Sequence, residues 1–359
     1  MSQVTEDDQL TRLQEALDGA ATGGIAVSVV AGVCLVGAFA SFLLSMPFTV
    51  PFLLGFVGVT AYGWFAHQAE TARTLMFVAT VSTVTVLGLI TFYVFLEAAP
   101  AFANMGVVEL LTRLEQPLWN TETHVYSLVP LMWGTFVTTV LATLVAAPFG
   151  VAGALFISEI APRTVREIIK PAVEVLAGIP SIVYGFIGFT VLNPYMTEKF
   201  LLAGQGSLFL AGIVIGFMAL PTTVSVAEDA IASVPESMKS GSLALGSTDW
   251  QTMKSVTLPT ALSGVSAGIL LGVGRAIGET MAATVILGTV VELPDPLYDV
   301  FGNTITLTSA IAAQYGSAFG LHMNTLFAAG VVLFVTVMGL SIAAQYVEAR
   351  MQRKLGGDV

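Results

Sequence analysis

Apolar residues along the chain gather into eight long runs, at 24–46, 49–66, 74–96, 125–158, 171–197, 204–227, 259–291 and 304–347, parted by short polar stretches. Each run is near or above the ~20 residues that a helix needs to cross the hydrocarbon core. Backbone groups inside a bilayer must pair within their own segment, so runs of this length predict helices. The pattern therefore predicts an all-α polytopic membrane protein with about eight transmembrane helices. Several runs exceed one straight span, and Pro148 with Gly150, and Pro180 further on, mark predicted kinks or broken helices, with packing alone the rival explanation. The last run is long enough for its part up to His322 to form an external or re-entrant segment before one span.

Composition sharpens this picture. Hydrophobic residues make up 55% of the chain and charged ones 10%, where a soluble domain carries about 25% charged. Of the 13 Lys and Arg residues, ten (Arg12, Arg73, Arg163, Arg166, Lys170, Lys239, Lys254, Arg350, Arg353, Lys354) fall on the side shared by both termini of an eight-span chain. Arg113 and Lys199 fall opposite. The positive-inside rule then predicts a cell-membrane protein with both termini cytoplasmic. Residues before the first run carry Glu6, Asp7, Asp8, Glu15 and Asp18 against Arg12, which is no cleavable signal peptide. Leu10, Leu13 and Leu17 in that tail allow either a short amphipathic helix or a solvated segment. The net charge of -11 resides mostly in tail and loops, and no nucleic-acid partner is expected. Cys34 stands alone, and His67, His124 and His322 sit in loops or at span ends, so no disulfide, metal site or cofactor is legible.

Within 259–291, Arg275 and Glu279 are the only charges. Each costs about 2.5–3.5 kcal/mol at the bilayer centre on insertion scales, which makes such residues functional candidates by default. Helical spacing i, i+4 would put both on one face, turned to protein or water, and the competing reading is a salt bridge that packs two helices. Thr280 adds a hydroxyl beside them; Pro180 and Ser181 offer either free amides and a hydroxyl at a helix break or packing alone. Glu174 reads as a snorkelling or interhelical carboxylate. The outer segments 97–124 and 292–303 are acidic, with Glu109, Glu115, Glu122, Asp295 and Asp299, and attract no anion.

Residues 233–259 form a long polar interval between two apolar runs. Ser233-Val-Pro-Glu236 fits a capping box, predicting a helix through Met238 and Leu243 to Leu245 that Gly246 stops. Thr248-Asp-Trp-Gln251 offers a second box, and Pro259 precedes the next span. Two short helices at a glycine elbow would expose Trp250, Leu243 and Met253, either to a partner surface or to the lipid headgroups.

Ser240-Gly-Ser-Leu-Ala-Leu-Gly246, followed after nine residues by Val256-Thr-Leu-Pro259, resembles the EAA loop of ABC importer permeases. In that family this loop docks on the ATP-hydrolysing subunit. Ser240, Gly241 and Ser242 replace the Glu-Ala-Ala itself, so the family's carboxylate is absent at 240, with Glu236 one turn earlier as the available substitute. Ser158-Glu-Ile-Ala-Pro162, Leu176-Ala-Gly-Ile-Pro-Ser-Ile-Val-Tyr-Gly185 and Gly274-Arg-Ala-Ile-Gly-Glu-Thr-Met-Ala282 resemble the PstC-type permease subunit of phosphate importers. The resemblance implies a second permease in a heterodimer, two copies of an ATP-binding subunit, an external phosphate-binding protein, and phosphate passing Arg275 and Glu279. The division of the chain it implies is a tail (1–23), an additional hairpin (24–73), a first family-like span with its outer loop (74–125), the permease core (126–349) and a second tail (350–359). An arginine fork matches phosphate oxygens, and a carboxylate either pairs with that arginine or accepts from a protonated phosphate oxygen.

No Gly-x-x-x-x-Gly-Lys-Ser/Thr segment occurs, so ATP must be hydrolysed on another chain. No cluster at catalytic spacing supports an enzyme. The competing readings are a permease for molybdate or sulfate, and a stand-alone secondary transporter or channel, which has no use for an exposed coupling loop.

Overall fold

The computed structural model describes the backbone of residues 3–200 and 206–354 and the side chains of 23–200, 206–346 and 349–350. The side chains of Leu10, Leu13 and Leu17, and most of the second tail, lie outside the described residues. Two compact units divide between Tyr93 and Val94.

In the first unit, α1 (Gln3–Leu43) and α2 (Thr49–Ala66) form a hairpin. Glycines let the pair approach closely, as small residues do between membrane helices: a Cβ at Gly37 would stand 2.8 Å from the Phe52 ring. Outward side chains such as Val36, Phe39, Phe42 and Phe65 are apolar and exposed, a surface for lipid. Helix α3 (Gln68–Met105) contains the boundary between the units.

The second unit continues with α4 (Val107–Thr112) and a two-residue ladder of β1 (Trp119–Asn120) and β2 (Val125–Tyr126). Then come α5 (Val129–Leu155), α6 (Arg163–Gly178), α7 (Ser181–Ile187), α8 (Asn193–Phe200) and α9 (Leu208–Ala232). The polar interval 233–259 holds α10 (Glu236–Ala244), α11 (Asp249–Thr252) and α12 (Leu258–Thr260). Last are α13 (Leu262–Ile277), α14 (Met281–Leu287), α15 (Leu307–Gln314) and α16 (Leu321–Lys354). Wider π turns occupy Phe156–Ile160, Gly188–Leu192 and Met253–Thr257.

Helices α5, α9 and α13 pack as the centre of this unit. Gly216 meets Ala142 and Val145 across α5 and α9, and Gly268 faces the backbone of Thr223 and Ala227 across α9 and α13. One apolar cluster joins Val137, Ala142, Ile215, Met218, Ala282 and Ile286; a second joins Leu110, Tyr126, Leu131, Ile305, Leu307 and Ala328. The short α15 is seated through Leu307, whose amide donates to Thr135 Oγ1 at 2.9 Å. The segment before His322 thus forms a short helix of its own, bonded to α5, ahead of α16.

Among the described residues six helices are long and apolar enough to span a membrane, and two bent pairs bring the number to eight if each pair is one span. The run expected from Pro171 turns by 88° between α6 and the segment Ser181–Phe200, the break expected at Pro180, which cannot continue the helix. Pro148 lies inside α5, which runs through it to the π turn at Phe156–Ile160. Charged Arg163, Arg166, Glu167, Lys170 and Glu174 all lie in α6. The run 259–291 is likewise not one helix: α13 ends at Ile277 and α14 begins at Met281.

Candidate functional site

The second unit holds two helix breaks whose following helices pack together. Gly178 and Ser181 flank one, at Pro180; Ile277 and Met281 flank the other, at Gly278, Glu279 and Thr280. Helices α7 and α14, which follow the two breaks, cross at Gly185, where an added Cβ would stand 2.8 Å from Ala282 Cα. Pro180 and Ser181 therefore belong to the same assembly of short helices as Glu279 and Thr280.

Arg275 occupies the last turn of α13 and is half-buried. Its Nη1 donates to Thr222 Oγ1 of α9 at 3.1 Å. Glu279 has left the helix: Gly278 caps α13, and the Glu279 carboxylate Oε1 accepts from the Ala282 amide at 3.0 Å, closing the first turn of α14. The Glu279 carbonyl accepts from Thr308 Oγ1 of α15 at 2.8 Å. Thr280 Oγ1 donates to the Gly278 carbonyl at 3.1 Å. The direct Arg275–Glu279 pair expected from i, i+4 spacing does not form, because that spacing holds only within a continuous helix. Instead an arginine from α13, a hydroxyl from α9, a carboxylate in the break and a threonine from α15 lie close along the chain or in hydrogen-bond contact around the break.

Thr222 and Thr308 were not singled out in the sequence. Pro221, within the apolar α9 and followed by Thr222 and Thr223, was the available signal for the first. Thr308 carried none, since only folding back of α15 brings it near. Glu174 is exposed on α6. An apolar groove of about 840 Å³ runs along α5, lined by Trp133, Phe136, Val140, Leu144, Val273 and Leu340. Its lining holds no charge, so it is no anion site.

At the other end, Ser233 is not the predicted cap of α10. It ends α9, its hydroxyl donating to the Ala230 carbonyl at 2.7 Å, and α10 starts directly after Pro235. The second capping box is present: Gln251 N donates to Thr248 Oγ1 at 3.3 Å and Thr248 N to Gln251 Oε1 at 2.9 Å. Gly246 takes φ +89, the left-handed elbow expected of it. Leu245 is 91% and Trp250 65% exposed, and Leu243, Glu236, Ser240 and Gly241 are exposed with them. Met253, expected on that face, is half-buried in the π turn. Ser242 is turned inward, its hydroxyl 2.7 Å from Ser247 Oγ, which lies 3.0 Å from Thr252 Oγ1. Val256, Leu258 and Pro259 are half-buried at the base, where Leu258 packs against the cluster of Ala154, Ala227, Ile231 and Val265.

Ion pairs tie the polar ends of the helices. Lys170 Nζ of α6 stands 2.6 Å from Glu228 Oε2 of α9, and Lys239 Nζ of α10 stands 2.7 Å from Glu159 Oε1 in the first π turn.

A helical bundle with several long apolar helices, broken helices, a charged group at a helix break and a protruding helical hairpin is the architecture of a membrane permease. Residues 146–353 match the family described as binding-protein-dependent transport system inner membrane component. The chain belongs to that family. It is 38% identical over 293 residues to a probable ABC transporter permease, YqgH, of Bacillus subtilis, covering 79% of this chain and 93% of that relative. It is 35% identical over 258 residues to the phosphate transport system permease protein PstC of Pasteurella multocida, covering 66% and 79%. A chain of the crystal structure of a bacterial alginate ABC transporter, in complex with its pentasaccharide-bound periplasmic protein, superposes with a TM-score of 0.55 at 16% identity over 81% of this chain and 98% of that one, a likeness of fold.

Proposed function

We propose that this chain is a transmembrane permease subunit of an ATP-driven phosphate importer. The observation that carries the reading is the half-buried Arg275 guanidinium beside a helix break, in a chain similar to phosphate permeases. Arg275 contributes a planar, permanently charged fork for a phosphate oxyanion, and Thr222 holds it in place until the anion competes for the same donors. Glu279, in this reading, accepts from the protonated oxygen of phosphate, a contact that sulfate cannot make. Thr280, Pro180 and Ser181 line the same path.

The chain forms half of the path beside a second permease in a heterodimer. An external phosphate-binding protein delivers the anion, and two ATP-binding subunits dock on residues 233–259. The exposed Leu243, Leu245 and Trp250 at the elbow support that docking, since an apolar surface on a protruding hairpin requires a partner. Ser240, Gly241 and Ser242, with Glu236, replace the family's carboxylate contact. Both termini are cytoplasmic by the distribution of Lys and Arg.

Phosphate uptake into vesicles tests the reading, with and without the partner subunits, for native Arg275 and for Arg275→Gln. Uptake that needs every partner and falls at least 100-fold in the variant is expected, equivalent to about 2.8 kcal/mol of lost stabilisation at about 1.4 kcal/mol per tenfold. Uptake by this chain alone would replace the proposal with a secondary transporter or channel.

A further inference from the structure

Helix α10 is held to the rest of the chain in an unusual way. None of its residues is buried, so apolar packing does little to fix it. At its centre Lys239 reaches across 80 positions of sequence to Glu159, with the two side chains only 12% and 14% exposed. Glu159 sits in the π turn that closes α5, where the Ala161 amide donates to the Phe156 carbonyl at 2.7 Å. Arg166 of α6 clamps that turn, donating to the Ile157 carbonyl at 2.7 Å and to the Ser158 carbonyl. Ser158 Oγ adds a bond to Glu159 Oε1 at 3.3 Å. The carboxylate is thus oriented from its own side before Lys239 arrives.

We propose that the Glu159–Lys239 pair is a strap that makes α10 and the end of α5 move as one body. Both are positioning residues for energy coupling: a push on the elbow at Leu245 reaches α5 through this pair at the middle of α10, beside the packing of Leu258 on Ala154 at the base of the hairpin. π turns recur at functional sites, where the wider turn lets a helix end shift without unfolding. A part-buried ion pair of good geometry transmits force in a defined direction, because opening it leaves a charge with neither partner nor full hydration. The strap rests on the reading of 233–259 as the ATPase-docking hairpin.

The test uses the full complex of permeases, ATPase and binding protein, with Glu159→Gln, Lys239→Met, Lys239→Arg and the reversed pair Glu159→Lys with Lys239→Glu. Amide hydrogen exchange across 236–244 and phosphate moved per ATP hydrolysed are both read. Each charge-removing variant is expected to speed exchange at least tenfold and to lower the uptake-to-hydrolysis ratio at least threefold. Lys239→Arg and the reversed pair are expected to recover both to within twofold. Unchanged exchange, a native ratio in the single variants, or a reversed pair no better than the singles would overturn the strap. Leu245→Asp, on the exposed elbow away from the pair, separates the two ideas: it should release the ATPase, while exchange across 236–244, compared with the native chain after the ATPase is removed from both, should stay near native. Undiminished ATPase binding in that variant would refute the docking reading, and the exchange result would still decide whether the pair holds α10.

Discussion

Replacing Gly185 by alanine tests whether the two helix breaks work as one unit. A Cβ at this position stands 2.8 Å from Ala282 Cα, 3.1 Å from Val285 Cβ and 3.2 Å from the Ala282 carbonyl oxygen. Carbon atoms in favourable contact lie about 3.5–4.0 Å apart, so α7 and α14 must separate by roughly 0.7–1 Å. Ala282 opposes the methyl with backbone, which cannot swing aside as a long side chain would. Overpacking of this size costs about 1–3 kcal/mol, against a gain of at most ~1 kcal/mol from the better helix propensity of alanine. With the full propensity gain the net loss is about 0–2 kcal/mol, and its upper half is expected because the opposing atoms are backbone. Gly274, within α13, has nothing within 4 Å of its would-be Cβ, so Gly274→Ala is the matched control and should keep only the propensity gain. Thermal unfolding in detergent reads stability, and phosphate uptake with the partner subunits reads function. Gly185→Ala should melt earlier and transport more slowly, because the displaced α14 carries the amide that orients Glu279. Native melting and native uptake in Gly185→Ala, or equal losses at 185 and 274, would refute the argument that this crossing joins the breaks.

Two further outcomes follow from the same geometry. Glu279→Gln keeps an oxygen for the Ala282 amide but loses the charge, so it should narrow the preference for phosphate over sulfate when both are assayed; an unchanged preference would remove the acceptor role. At the pair between α6 and α9, the Glu228 side chain is 3% exposed and that of Lys170 43%. Lys170→Met strands a buried carboxylate and should cost about 2–3 kcal/mol, below the usual 3–5 because water already reaches the lysine. Glu228→Gln leaves an ammonium that turns to water and should cost under ~1 kcal/mol; equal thermal shifts in the two variants would contradict this asymmetry.

The sequence alone determined the solvent this protein folds in and the helical class of its fold. Apolar runs and the scarcity of charge are local properties, and a bilayer drives such runs into helix because it offers the backbone no other partner. Local chemistry also placed the Gly246 elbow and the Thr248–Gln251 box, where a φ of +89 and a four-residue hydrogen-bond loop need nothing distant. Arg275 and Glu279 were legible as candidates because charges within an apolar run are costly. Their relation was not legible. Periodicity assumed a continuous helix, and Gly278 ends it, so arginine turned to Thr222 and glutamate to the head of α14. Ser233 failed as a cap for a similar reason: α9 extended far enough to claim it. Thr308 at Glu279, Gly185 at Ala282 and Lys239 at Glu159 are contacts between residues 29, 97 and 80 positions apart. Pairs so distant depend on how whole helices pack, and no local pattern in a single sequence encodes that packing.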